Sequence, residues 1–314
     1  MSEMAPTISV VTPNYNHGKF ITETIRSVAG QGYQPIEHII VDDGSTDDSR
    51  EIIAALAREY PLVKLVVSER NRGAAAAMHA GVQAASGDFI MYLGADDVLP
   101  ARSLGCFHEV FKAHPDAALI CGDVAFMNEQ TGHSWVRRGL NLRAPTYITP
   151  EELVAQQRRG LNVINGGAAV VRRDVILEAE MNDTSLRWYL DFTYYNAIAY
   201  RHGVYYIPEV LHSFLVTGKN YSSGAGVWAM QEPTLTRLFE VLNSRRFSDI
   251  QDKFRRSAIL GIAPHILRYM LKHRSARQFL TGSLVKNAVL SYGYRKFRKL
   301  IPQGALDVFV RLRT

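Results

Sequence analysis

The residues of this chain best suited to chemistry lie in four short polar stretches, each directly after an apolar run: TPNYNHG at 12–18, DDGST at 42–46, ERNRG at 69–73 and GADD at 94–97. Adjacent carboxylates such as Asp42 with Asp43, and Asp96 with Asp97, can accept hydrogen bonds from a base or ribose. They can also hold a divalent cation that neutralises a diphosphate. Any single polar loop has a structural explanation, and Asp96 and Asp97 alone could cap a helix starting near Pro100. Four such loops at the same point of a repeating pattern point instead to a site. No G-x-G-x-x-G follows the first apolar run, which argues against a dinucleotide oxidoreductase, and no G-x-x-x-x-G-K-[ST] occurs, which excludes a P-loop.

The elements that must position these loops follow from the apolar pattern. Strands are predicted at ISVVTP (8–13), IEHIIVDD (36–43), VKLVVS (63–68), DFIMYLG (88–94) and AALICGDVAF (117–126). Helices are predicted between them at about 18–30, 46–59, 74–85 and 101–113. This alternation predicts an α/β fold with a mostly parallel central sheet flanked by helices. In such sheets ligands bind at the C-terminal ends of the strands, where the four loops lie. From about 127 to 168 the pattern loosens, with one helix predicted at TPEELVAQQRR. A short strand with its exit (GGAAVVRRDVI), a helix with an aromatic face (LRWYLDFTYYNAIAYRHG) and a further strand (VYYIPEVLHSF) follow. Beyond SSGAG the remainder reads as helices, and there is no internal repeat or low-complexity tract.

The ordered set ISVVTPNYNHGKFITETIRSVAGQ, IEHIIVDDGSTDDS and RNRGAAAAMHAGVQAASGDFIMYLGADDVLP resembles the consecutive signatures of family-two glycosyltransferases with the GT-A fold. The likeness covers roughly residues 7–126, with a weaker echo to about 223. It implies a GT-A catalytic domain over 1–223, with a nucleotide-sugar half at about 7–126 and an acceptor half at about 127–223, then a basic helical region at 224–314. It also implies that Thr12, Pro13 and Tyr15 line the base, that Asp42 and Asp43 contact base or ribose, and that Asn71, Arg72 and Gly73 approach the nucleotide sugar. Asp96 and Asp97 fall in the metal-binding D-x-D region, which implies Mn²⁺ or Mg²⁺ as cofactor, with Asp96 also at the ribose. The family's first acid is replaced by Gly94, and His79 stands where many relatives carry Asn. Asp191 matches the catalytic base at the start of a late helix, although its neighbour, often acidic, is Leu190. His212 and Lys219 fall in the loop that closes over the diphosphate in relatives and are candidates for contacting it.

The activity implied is inverting transfer of a sugar from a nucleotide diphosphate sugar to a glycan or lipid-linked acceptor in surface polysaccharide synthesis. Two rivals stand beside it. A sugar nucleotidyltransferase would need a Gly-rich basic loop after the first strand, which TPNYNHGKF does not supply; a non-catalytic nucleotide-sugar-binding or membrane-scaffold protein would have kept the fold alone.

Bulk properties set the surroundings. The chain has 314 residues, 47% hydrophobic and 21% charged, a globular composition large enough for one sizeable domain and an appendage. The N-terminus shows no signal-peptide pattern, and no apolar run reaches the roughly 18 residues of a spanning helix. Cys106 and Cys121 read as free structural thiols. A cytoplasmic protein is expected, free or peripheral on the inner face of the cytoplasmic membrane. The net charge of +6 is uneven: residues 253–314 carry 14 Lys and Arg against one acid, Asp307. Its mixture of basic and apolar residues suits an anionic membrane surface, or equally helices packed on the body with a basic outer face. Nucleic acid is not expected as a partner, since no reading motif is present.

Overall fold

A computed structural model of the chain describes residues 6–33, 37–140, 142–160, 163–217 and 228–289. The chain divides into two compact units, one of Met1–Pro150 with Ile164–Leu238 and one of Glu151–Val163 with Phe239–Thr314.

The first unit is built on a sheet whose strands β1 (Ile8–Asn14), β2 (Glu37–Asp42), β3 (Val63–Val67) and β4 (Phe89–Tyr92) run parallel in the order β3-β2-β1-β4. Helices α1 (Gly18–Ala29), α2 (Ser49–Glu59) and α3 (Ala74–Ala84) connect them. β2 and β4 are buried throughout, which is why Ile39–Val41 in the middle of β2 and the whole of β4 are continuous apolar runs rather than alternating ones. α1 buries Ile21, Ile25 and Val28, a single stripe at helical spacing. The register pairs Asn14 with Asp42 and Asp42 with Val67, so the strands end side by side and all four polar loops emerge at one sheet edge.

After α4 (Ser103–Ala113) the order departs from a simple parallel series. β5 (Leu119–Asn128) does not pair with β4. It turns into a hairpin with β6 (Ser134–Arg137), followed by β7 (Thr146–Ile148) and α5 (Pro150–Arg159). The late strand β8 (Ala169–Arg172) then inserts antiparallel between β4 and β5, pairing Ile90 with Val171 and Ile120 with Val170. Its three apolar residues, Ala169, Val170 and Val171, are buried and fill the gap left between the two earlier strands. α6 (Arg173–Glu178), α7 (Leu190–His202) and β9 (Val204–Val216) follow, and β9 runs parallel to β5. The helix predicted to start at Leu186 begins at Leu190 instead, because Arg187 adopts φ 46°, ψ −124° and only a 3-10 turn, Thr184–Tyr189, forms before it.

The second unit contains most of α5, the end of α8 (Trp228–Leu242), then α9 (Gln251–Ser257), α10 (Pro264–Lys272) and a helix over 282–289. Its core gathers Phe239, Phe247, Phe254, Ile266, Tyr269 and Phe279, with the Phe239 and Tyr269 rings stacked 5.3 Å apart. Much of the apolar content of the basic region is therefore consumed by packing inside the unit. Arg255, Arg268, Lys272, Arg274 and Arg277 lie at its surface. The segment YRKFRKLIP lies outside the described residues, and no helix among those described is long and apolar enough to cross a membrane. Cys106 and Cys121 are both free.

Candidate active site

Three of the loops at the sheet edge are laced together by side chains that leave little freedom. Asn14 Nδ2 donates to Asp42 Oδ2 at 2.9 Å and to Ser45 Oγ at 3.2 Å, and Asn16 Oδ1 accepts from the Thr46 backbone at 2.8 Å. Asp42 is fully buried; burial alone would raise its pKa, but hydrogen bonds from Ser45, Arg50 and Asn14 outweigh it and hold the carboxylate below its usual range. Its oxygens are thus used to fix the loop. Asp43 Oδ2 accepts from the backbone N–H groups of Arg72 (2.9 Å) and Gly73 (2.7 Å), which ties the second loop to the third. Its Oδ1 is buried without a hydrogen-bond partner, an acceptor in place for a donor from outside the chain. Gly44, at φ 77°, lies so close to the Arg70–Asn71 backbone that a Cβ would sit 2.7 Å from it.

The residues expected at the base divide by exposure. Tyr15 is 39% exposed and Pro13 partly buried, whereas Thr12 is buried with its hydroxyl 2.8 Å from His38 Nε2. Burial pushes His38 down to about 3, so this ring is neutral. Asn71 and Arg72 are exposed, and the Asn71 side chain caps Gly73 N–H at 2.9 Å.

The fourth loop is joined to β9. Val98 and Ser213 exchange backbone hydrogen bonds at 3.1 and 3.0 Å, which brings His212 Nε2 to 3.1 Å from Asp97 Oδ2 and Leu215 N–H to 3.0 Å from Asp97 Oδ1. Asp97 is therefore held on both oxygens, while Asp96 beside it is only partly buried. A Cβ on Gly94 would lie 2.6 Å from Asp97 Oδ2 and 3.1 Å from Asp96 Oδ1, so the two carboxylates close over the position of the missing acid. Two carboxylates and an imidazole are a suitable donor set for a divalent cation such as Mn²⁺, and His212 Nδ1 is buried without a hydrogen-bond partner. No cluster of three such groups stands ready-made among the described residues. Lys219 lies outside the described residues.

Asp191, in the first turn of α7, is brought to the same place by a pair of glycines that the sequence reading did not single out. Gly166 and Gly167 open the 3-10 turn Gly166–Ala168 that precedes β8. A Cβ on Gly166 would lie 2.3 Å from Asp191 Oδ2; one on Gly167 would lie 2.6 Å from the Phe214 ring and 2.9 Å from the His212 ring. Two consecutive residues thus touch both Asp191 and His212. Burial raises the Asp191 pKa, opposed by the Phe192 N–H at 2.7 Å and by the positive charge of Arg137. Arg137 was missed as well, since nothing in its local sequence marks it. The adjacent glycines before a strand were the available signal for close approach. His79, by contrast, lines a cavity of about 110 Å³ with Tyr92, Ile176 and Met181, between α3 and α6.

The family model described as glycosyl transferase family 2 matches residues 9–178. Glycosyltransferase GlyG of Streptococcus pneumoniae is 35% identical over 130 residues, covering 41% of this chain and 43% of that protein. The chain spans well under half the length of the first curated relatives it matches, 33%, 43% and 38%. Among solved structures, S. aureus TarS 1–349 in complex with UDP-GlcNAc is similar with a TM-score of 0.62 at 18% identity, over 85% of this chain and 73% of that one. The mannosyltransferase PcManGT from Pyrobaculum calidifontis, in complex with GDP-Man and Mn²⁺, is similar with a TM-score of 0.53 at 18% identity, over 93% and 81%. The fold is the GT-A arrangement.

Proposed function

We propose, from the premise that this chain belongs to glycosyl transferase family 2, that it moves a sugar from a nucleoside diphosphate sugar to a saccharide acceptor with inversion at the anomeric carbon. The observation that carries this reading is the Gly166–Gly167 backbone, which sets the Asp191 carboxylate beside the His212–Asp97 pair at the sheet edge bearing the nucleotide-type loops. Asp191 takes the proton of an acceptor hydroxyl as that oxygen bonds to the anomeric carbon. The bond from that carbon to the diphosphate oxygen breaks on the opposite side, and the nucleoside diphosphate leaves with the electron pair. Asp43 Oδ1 serves base or ribose, Tyr15 the face of the base, and the Asn71–Gly73 loop the donor sugar. Asp96, with Asp97 and His212, would hold Mn²⁺ or Mg²⁺, which when bound neutralises the leaving diphosphate. The acceptor is a glycan or lipid-linked saccharide of a surface polysaccharide, met at the inner face of the cytoplasmic membrane, where the basic second unit faces anionic lipid.

A thermal-shift series with nucleoside diphosphates and their sugars, with and without Mn²⁺, tests the reading, since a ligand of the folded state raises Tm. One base should stabilise the chain, more strongly with Mn²⁺, and the matching donor should be hydrolysed slowly without acceptor. No shift with any nucleotide would refute the proposal.

A further inference from the structure

The strand register places a set of side chains on one face of the sheet next to Asp191. Val124 of β5 pairs with Arg137 of β6 and with His212 of β9, and Phe126, two residues on, pairs with Trp135 and with Phe214. Residues two apart on a strand share a face, so Phe126, Trp135, Arg137, His212 and Phe214 all lie on the same side. Their rings form a continuous row: Trp135 to Phe126 at 5.2 Å, Phe126 to Phe214 at 5.1 Å and Phe214 to His212 at 4.2 Å. The guanidinium of Arg137 lies 5.0 Å above the Phe126 ring, and its Nε donates to Asn165 Oδ1 at 2.9 Å. Asn165 is itself buried and anchored to the Gly122 carbonyl at 3.2 Å.

Arg137 is therefore fixed on one edge and one face while its terminal amino groups make no hydrogen bond or ion pair among the described residues. A guanidinium held in this way presents the two-pronged edge that matches a carboxylate or phosphate. Arg137 and His212 both pair with Val124, and the Gly166–Gly167 backbone joins His212 to Asp191, so an anion bound there would lie on the side of the sheet that holds the proposed base.

We propose that this face is an acceptor subsite for an anionic saccharide, with Arg137 taking its carboxylate or phosphate and the Phe126–Trp135 row offering an apolar surface to the sugar ring. The inference rests on the transferase reading, because it uses Asp191 as the acceptor's base. It goes beyond that reading by naming the acceptor's charge.

The test is titration calorimetry of the full chain with three probes: p-nitrophenyl β-glucoside, p-nitrophenyl β-glucuronide and p-nitrophenyl β-glucoside 6-phosphate. It is run with Mn²⁺ and the nucleoside diphosphate selected by thermal shift, and repeated without them, so that loss of nucleotide binding and loss of glycoside binding are read separately. At least one charged probe should bind about tenfold tighter than the neutral glucoside, and the stronger of the two identifies carboxylate or phosphate as the natural group. Arg137→Gln should abolish the difference and leave nucleotide affinity within about twofold of wild type, Arg137→Lys should retain part of it, and Trp135→Ala should weaken all three probes together. Equal binding of charged and neutral probes, no binding of any, or a preference that survives Arg137→Gln would overturn the proposal. So would a loss of nucleotide affinity in that variant, which would assign Arg137 to the donor diphosphate.

Discussion

Asp191 carries the sharpest consequences of the site. Asp191→Asn should lower kcat by roughly 10²–10⁴-fold, read in a donor-plus-acceptor assay, with nucleotide-induced Tm shifts intact. Burial raises the pKa of this carboxylate above the ordinary 3.8, and the proposed base works only when deprotonated, so activity should fall as pH drops, with a midpoint above that value. Arg137→Gln removes an opposing positive charge and should move that acid limb to still higher pH in a kcat/KM profile. Gly166→Ala forces a methyl toward Asp191 Oδ2 and should depress kcat while costing roughly 1–3 kcal/mol in denaturant unfolding. The acids themselves were legible as residue types after apolar runs. Their partners were not: His212 reaches Asp97 across 115 positions, through the long-range pairing of Val98 with Ser213. Asp42 illustrates the other limit, since its sequence position suggests a ligand contact while its oxygens are bound by Asn14, Ser45 and Arg50.

Strands and helices were read more completely, and for a physical reason. The parallel strands β1, β2 and β4 are largely buried runs and β3 is an apolar edge strand, with helices between them, so their pattern is local, whereas the place of β8 in the sheet is set by partners about 80 and 50 residues earlier and has no local signature. The kink at Arg187 is equally silent, a non-glycine residue at positive φ. The ends of the strands opposite the site are joined by Glu37, which accepts from Ser9 Oγ at 2.8 Å and Ser86 N–H at 2.6 Å and pairs with Lys64. Burial alone would raise its pKa, but Lys64 and the hydrogen bonds from Ser86 and Ser9 outweigh it and bring it down from 4.5 to about 2. A depressed pKa contributes stability above the unfolded value that disappears as pH falls through the folded one. That contribution, on the order of 3 kcal/mol, should therefore be present above about pH 4.5 and be lost toward pH 2. Urea melts of Glu37→Gln across that window should show lower stability at neutral pH and a flatter acid dependence than wild type.

Over the molecule as a whole, the division into units decides how the basic region can be tested. Residues 151–163 belong with 239–314, where Asn287 Nδ2 donates to the Gln157 carbonyl at 3.1 Å and Leu153 and Val154 are buried. Ending the chain near residue 250 should therefore lower Tm and solubility by uncovering α5, whatever the region binds. Reversing charge at exposed Lys272, Arg274 and Lys286 leaves that core in place. If the region meets anionic lipid, these reversals should abolish cosedimentation with phosphatidylglycerol vesicles at low salt without changing Tm; unchanged cosedimentation would exclude the described basic surface as the contact. The late arrival of β8 has a consequence in time. A chain emerging from the ribosome has made all four polar loops by residue 97, yet the strands on either side of the gap have no partner across it until residues 169–172 appear. Until then the open edges of β4 and β5 are adhesive to any other unpaired strand, so the synthesis of the segment that ends in β8 is also what protects the earlier strands from aggregation.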